Sequence, residues 1–415
     1  MKLLNLRGPL LAGLALATWP APAASQTGET LTLTEALRLS GAAAGGAQTT
    51  NPRIVGPQED VVAAEALVGQ AALRPNPELS VEVENVAGTG IFSGLQATEF
   101  TLAASLPIEL GGKRGARIRA AEAELAVVEM RGELAQAELA LAVRERYVGA
   151  VAAQARAELA QDIVERNREL ARIAGVLVDV GREPPLRALR AQSELAESEA
   201  ELKAAQAEAL AARFGLGALW AEQLAPEVPT IFPDIEPPHE LLADYSGIEL
   251  RLAGAEREAL QAEVARERSL RMPDPTVSAG VRRFEESDDQ AFLVGVSIPL
   301  PLRNRNQGNI AAAEARVRAA SAREAVALAD YRRDVAQARA DYLAAEAKAD
   351  TLASDSLPQA EEALRLAQIG YRNGRFPLIE VLAAAAARDG IRRSLTDARE
   401  AEGRAAARLI RLAAQ

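Results

Sequence analysis

Leu106-Pro107-Ile108-Glu109-Leu110-Gly111-Gly112-Lys113-Arg114 decides how this chain is read, because its pattern returns later. Ile298-Pro299-Leu300 echoes Leu106-Pro107-Ile108, and the basic turn Asn304-Arg305-Asn306-Gln307-Gly308 follows where Gly111-Gly112-Lys113-Arg114 stood. Ala120-Ala121-Glu122-Ala123 then recurs as Ala312-Ala313-Glu314-Ala315, and Gly181-Arg182-Glu183-Pro184 as Gly374-Arg375-Phe376-Pro377. Upstream, Asp274-Pro275 answers Asn76-Pro77. Landmarks recurring in one order at nearly one separation point to an internal duplication. The chain therefore divides into a first repeat over 25–225, a Pro-rich linker over 226–245 and a second repeat over 246–415. Pro226, Pro229, Pro233, Pro237 and Pro238 make that linker extended rather than helical.

Each repeat has the same inner order. A helix comes first, Val61 to Leu73 in one and Ser246 to Leu270 in the other, the latter ending before Pro273. Two strand-like runs follow: Leu79 to Val86 and Phe100 to Leu110, then Thr276 to Phe284 and Ala291 to Leu302. Leu79, Val81 and Val83 fall on one face of the first run, with Ser80, Glu82 and Glu84 on the other. Such alternation over about ten residues fits a transmembrane β-strand, and equally a half-buried strand of a soluble sheet.

Long helical patterns come next. No proline interrupts Lys113 to Val176, a run that would extend roughly 90 Å as one helix, and Gln307 to Leu357 runs similarly until Pro358. Pro358 is expected to kink that helix or to begin a new one. Heptad-like Ala, Leu and Val flanked by Glu and Arg read as coiled coil. At the Gly-Arg-x-Pro landmark each repeat turns and returns, as Pro185 to Arg213 and as Leu378 to Leu412. The fold class is thus mainly α with a small β part: long antiparallel helical hairpins plus four strands per chain. Four strands cannot close a barrel, and an open edge cannot face lipid. Two chains would leave an interior filled by side chains, and three or more would leave a lumen.

Composition agrees with long, thin helix packing. Aromatic residues are 3% of the 415, charged residues 25%, and alanine, the best helix former, is abundant. Lys2 and Arg7, the apolar run Leu10–Ala17 and Ala21-Pro22-Ala23 read as a cleaved export signal, 1–24. The net charge of −11 disfavours nucleic acid as a partner. There is no cysteine, hence no disulfide or lipidated thiol, and His239 is the single histidine, at the end of the linker. No dedicated transition-metal site, cofactor site or catalytic constellation is expected: Gly88-Thr89-Gly90 with Gly94 misses the dinucleotide spacing, and the carboxylates sit on charged helix faces.

Tyr371-Arg372-Asn373-Gly374, followed by Leu378-Ile379-Glu380-Val381-Leu382, resembles the tip motif of the outer membrane efflux protein family, the TolC-like channels. Leu73-Arg74-Pro75-Asn76-Pro77-Glu78-Leu79, Pro107 to Arg114 and Arg305-Asn306-Gln307-Gly308-Asn309-Ile310 are similar to its cobalt–zinc–cadmium efflux branch. The resemblance covers essentially the whole mature chain. It implies a homotrimer with four strands per chain in a shared outer-membrane barrel, an α-helical tunnel below, and docking to a periplasmic adaptor and an inner-membrane, proton-driven RND-type pump. Divalent metal cations are the expected cargo, with multidrug efflux or type I secretion as the alternative. A periplasmic adaptor or coiled-coil scaffold is the reading from another class, and the duplicated strand–strand–helix–helix frame speaks against it. Gly181, Arg182, Tyr371, Gly374 and Arg375 become candidates for adaptor docking, and Glu380 for an acidic ring at the periplasmic entrance. Glu380 as one more solvated coiled-coil glutamate stands beside that reading. Three departures from the family pattern are visible. Gly41 to Pro57 is rich in Gly, Ala and Thr, so the first helix is expected to be shortened or partly disordered; Arg303 replaces an aromatic residue; and Ala383 stands where a second acidic residue is common.

Overall fold

The computed structural model describes residues 30–43, 50–238 and 247–414. The expected export signal and His239 lie outside the described residues. The first element among the described residues is α1 (Leu33–Ser40), which the sequence reading does not include. The Thr32 hydroxyl caps it by accepting the Glu35 N–H at 3.2 Å, and left-handed Gly41 ends it. Next comes α2 (Pro52–Ala71), which starts well before Val61 and runs through Pro57. Pro57 forfeits one backbone bond, but the start of the helix is held firmly. The Asn51 side chain accepts the Arg53 N–H, and its buried amide donates to the carbonyls of Ser40 and Leu219, both at 2.8 Å.

The remaining elements are β1 (Glu78–Glu84), β2 (Glu99–Pro107), α3 (Lys113–Asp179), α4 (Pro185–Gly217), α5 (Ile248–Ser269), β3 (Thr276–Phe284), β4 (Gln290–Ser297), α6 (Gln307–Thr351), α7 (Leu357–Arg372) and α8 (Leu378–Leu412). Three strands stop short of expectation, β1 at Glu84 rather than Val86. β2 ends at Pro107 rather than Leu110, and β4 at Ser297 rather than Leu302. Prolines at 107, 299 and 301 cannot donate to a ladder. α3 has 67 residues and reaches about 100 Å. Between α6 and α7 lies one π-turn, Leu352–Ser356, in which the Leu357 N–H reaches back to the Leu352 carbonyl. Pro358 occupies the first turn of α7, so the helix passes the proline by widening one turn.

α3 packs along α4, and α8 along α3, α6 and α7; nearer the sheet, α5 lies between α3 and α6 while α2 lies against α3. The seams are built from small residues, among them Ala150, Ala152, Ala153 and Ala157 of α3 and Ala405, Ala406 and Ala407 of α8, all buried. One larger core sits midway along α3. Tyr147, Val143, Val151 and Leu216 are packed there with Ala36, Ile54, Leu219 and Val228. The Tyr147 hydroxyl donates to the Leu31 carbonyl at 2.8 Å, and the Leu31 N–H to Glu227 at 2.7 Å. The described part of the linker is therefore non-helical, as its prolines require, yet it is packed into this core.

Polar clamps join sheet to helices. Arg117 donates to the carbonyls of Ala71 and Leu73, at 2.9 and 2.8 Å, and pairs with Glu109 at 2.5 Å. Arg114 donates to Ala72 at 2.6 Å. These guanidiniums satisfy carbonyls that the end of α2 leaves without helical partners. Asp274 accepts the Leu110 N–H at 2.9 Å and pairs with Lys113 at 2.6 Å. In the other half, Asn306, left-handed at φ 60, caps the start of α6 and donates to the Glu267 carbonyl and carboxylate at 2.8 and 2.6 Å. The basic turns noticed in the sequence are thus structural clasps.

Candidate channel surfaces: the sheet and the hairpin tips

The four strands form one antiparallel sheet in the order β1-β2-β3-β4, so β2 and β3, far apart in sequence, are neighbours. Directly paired residues share a face, and the face alternates along each strand. The register aligns Val81 with Leu102, Leu102 with Val281, and Val281 with Phe292. Extending it gives one face made of Leu79, Val81 and Val83, then Phe100, Leu102, Ala104 and Leu106, then Val277, Ala279 and Val281, then Phe292, Val294 and Val296, with Arg283 and Gln290 ending it beside the β3–β4 turn. Short of that turn the face is apolar across all four strands, and none of the described residues covers it: Phe292 is 88% exposed and Val294 83%. A contiguous apolar sheet face of this extent is unusual on a water-soluble monomer.

The opposite face is polar at its β1–β2 side. Glu78, Ser80, Glu82 and Glu84 lie there with Glu99 and Thr101. Arg282 of β3 reaches across two strands, pairing with Glu99 at 2.7 Å and Glu84 at 2.8 Å and donating to the Thr101 hydroxyl at 3.0 Å. Among the described residues, the outer edges of β1 and β4 have no strand partner.

At the far end of the hairpins the two tips are closed by one backbone pattern. Gly181 and Gly374 are left-handed, at φ 70 and 66, a conformation that costs other residues about 1–2 kcal/mol. The Arg182 N–H donates to Leu177 at 2.9 Å, and the Arg375 N–H to Gly370 at 2.8 Å. Pro184 and Pro377 precede the return helices as their N-terminal caps. Gly181, Arg182, Gly374 and Arg375 are exposed and Tyr371 is half-buried, so each hairpin brings its own candidates together at a solvent-facing turn. Val180, Leu186, Leu189, Phe376 and Ile379 are also exposed beside them, an apolar component of the tips that the motif-based reading missed. Glu380 lies exposed in the first turn of α8, where a carboxylate complements the helix dipole.

Above the tips, ion pairs stitch α3 to α8. Arg166 pairs with Asp389, which is 5% exposed and also holds Arg388 at 2.7 Å. Arg392 meets Asp162 at 2.7 Å, and Arg156 meets Asp397 at 2.7 Å and Glu400. Among the described residues no three His, Cys, Asp or Glu side chains converge as a metal-binding group, and no helix is long and apolar enough to cross a membrane.

Comparison with known proteins converges on one family. The sequence profile of the outer membrane efflux protein family matches residues 46–222 and 247–415. The chain is 33% identical to the cobalt-zinc-cadmium resistance protein CzcC of Cupriavidus metallidurans over 365 residues, 85% of this chain and 83% of that one. It is 35% identical to the nickel and cobalt resistance protein CnrC of the same organism over 275 residues, 66% of each chain. Among solved structures, the outer membrane protein VceC of Vibrio cholerae superposes with a TM-score of 0.75 at 20% identity, covering 92% of this chain and 96% of that one. The MtrE outer membrane channel of Neisseria gonorrhoeae does so with a TM-score of 0.74 at 18% identity, covering 92% and 88%. The helical hairpins and the small antiparallel sheet are common to this fold, and the chain belongs to the outer membrane efflux protein family, a family of transport proteins rather than enzymes.

Proposed function

We propose that three copies of this chain close a single outer-membrane β-barrel and continue it as an α-helical conduit through the periplasm, as the channel of a tripartite efflux system for divalent metal cations. The observation that carries this is the uncovered apolar face of the four-stranded sheet, bounded by two unpaired edges. Lipid is the solvent that such a face fits, and edges in lipid must be paired by another copy, because each unsatisfied backbone group there costs several kcal/mol. Three sheets also leave a lumen, whereas two would be filled by side chains. The segment 1–24 is the export signal, removed on the way, and the two halves of the mature chain are repeats of one design.

The tips dock a periplasmic adaptor, which links the conduit to an inner-membrane, proton-driven pump. Exposed left-handed glycines, unscreened Arg182 and Arg375, and the neighbouring apolar side chains offer a compact surface for such contacts. Glu380, repeated three times around the entrance, forms a single acidic ring that favours cations. The cargo assignment leans on the relatives' names, cobalt-zinc-cadmium and nickel-cobalt resistance proteins, and on the acidic chain.

Growth of a strain lacking the chain tests the function. It should become sensitive to cobalt, zinc or cadmium, and wild-type chain should restore resistance. Gly374→Trp together with Gly181→Trp should fail to restore it while reaching the outer membrane in normal amount. A deletion strain with unchanged metal tolerance and new sensitivity to organic toxicants would overturn the cargo assignment.

A further inference from the structure

The connection between β1 and β2 differs from the rest of the surface. From Asn85 to Thr98 it reads Asn-Val-Ala-Gly-Thr-Gly-Ile-Phe-Ser-Gly-Leu-Gln-Ala-Thr, without a charge in a chain that is 25% charged. It is nevertheless a constructed turn. Gly90–Phe92 form one 3₁₀ turn closed by Ser93 N–H to Gly90 at 3.1 Å, and Phe92 packs so closely on Gly88 that a methyl group there would meet its Cβ at 2.8 Å. At the base, the Thr98 N–H donates to Leu95 at 3.1 Å and the Thr98 carbonyl accepts the Glu285 N–H at 3.0 Å. This scaffold lifts Ile91 and Leu95 into solvent, 82% and 64% exposed, beside a partly exposed Phe92. The neighbouring β3–β4 connection is the opposite in character, carrying Glu285, Glu286, Asp288 and Asp289.

We propose that Ile91, Phe92 and Leu95 of the three chains meet one another on the threefold axis and form an apolar constriction at the outer mouth of the barrel. The inference rests on the three-chain barrel proposed above. A closed barrel of about twelve strands, spaced about 4.8 Å and tilted about 40°, has a radius of roughly 12 Å. Half of the connection, about seven residues, spans at most roughly 20 Å when extended, so a tip folded to little more than half of that length still reaches the axis. Charge selects which loops meet there. Three β3–β4 loops would crowd like charges together, whereas the uncharged loops carry no such penalty and gain by removing aliphatic surface from water. A narrow ring of aliphatic side chains resists wetting, and so impedes ions independently of the entrance at the tips.

The lack of native cysteine makes Ile91→Cys the sole thiol in the chain. The purified variant is first weighed intact in detergent. A trimer is then oxidised and examined both by gel electrophoresis without reductant and as single channels in planar bilayers. We expect disulfide-linked dimers within the trimer, and conductance reduced by at least about twofold on oxidation. Ser287→Cys, in the acidic loop, should stay unlinked, and the double variant Ile91→Ser, Leu95→Ser should conduct better than wild type. A trimer whose Ile91→Cys neither cross-links nor changes conductance would overturn the constriction alone. So would labelling of that thiol by a bilayer-confined maleimide but not by a water-soluble one, which would make the loop a lipid anchor. A monomer would overturn the barrel reading itself.

Discussion

Replacing Arg117 with methionine should loosen the joint between the sheet and the longest helix. The stem of the side chain is kept, so packing changes little, and the loss is polar. Four interactions go: the bonds to the carbonyls of Ala71 and Leu73, and both bonds to Glu109, at 2.5 and 3.4 Å. Hydrogen bonds to charged groups contribute about 1.5–3 kcal/mol each, so the gross loss is about 6–12 kcal/mol. The Arg117 side chain is one-third exposed, however, and water re-solvates part of what it abandons. The net cost expected is about 3 kcal/mol. Glu109→Gln alone keeps a neutral acceptor and should cost about 1 kcal/mol. In the double variant no carboxylate is left stranded, so the two costs should fall short of additivity by about 1–2 kcal/mol. Denaturant unfolding of the mature protein in detergent, followed by helical circular dichroism, measures all three. Arg117→Met within about 0.5 kcal/mol of wild type, or strict additivity, would refute the clasp.

Three further outcomes are expected. Asn306→Ala should destabilise by about 2–3 kcal/mol, since a left-handed alanine costs about 1–2 kcal/mol and the bonds to Glu267 are lost; Asn306→Gly should recover the backbone part only, as unfolding titrations would reveal. Acid sensitivity should change in the same variant. The Asn306 amide, and then Arg266, hold Glu267 below its ordinary carboxylate range against the raising effect of burial, so its contribution is complete above about pH 4.5 and fades as pH falls through the lowered folded value. Stability measured from pH 6 to pH 3 should therefore decline less steeply in Asn306→Ala, and an unchanged slope would count against this linkage. Glu380→Gln should reduce the cation-over-anion preference of single channels, measured as a reversal potential in a salt gradient. Unchanged selectivity would make Glu380 an ordinary solvated side chain.

Local chemistry was legible in the sequence and long-range chemistry was not. Proline-free runs and Gly-Arg-x-Pro punctuation located α3, α4 and α8 to within a few residues, and the strand alternation located β3 at its observed ends. The π-turn before Pro358 answers to the anticipated disturbance there. Some readable signals were passed over: Thr32-x-x-Glu35 is a capping pattern that announces α1. Prolines misled in both directions. Pro57 is tolerated because Asn51 anchors α2 to distant carbonyls, while Pro107 and Pro299 end strands whose apolar pattern continues past them. The clasps by Arg117, Asp274 and Arg282 join residues remote in the chain, which no local pattern records. The tip candidates were legible because a tight helical hairpin needs glycine at a fixed place. Their apolar neighbours Leu186 and Phe376 were not, since a seam residue and an exposed one look alike in sequence.

Native mass spectrometry of the mature chain, extracted from outer membranes in mild detergent, bears most directly on the lipid-facing sheet and its open edges. Three copies per particle, conducting when reconstituted into planar bilayers, are the predicted result. A monomer or dimer recovered from the soluble periplasmic fraction would contradict it.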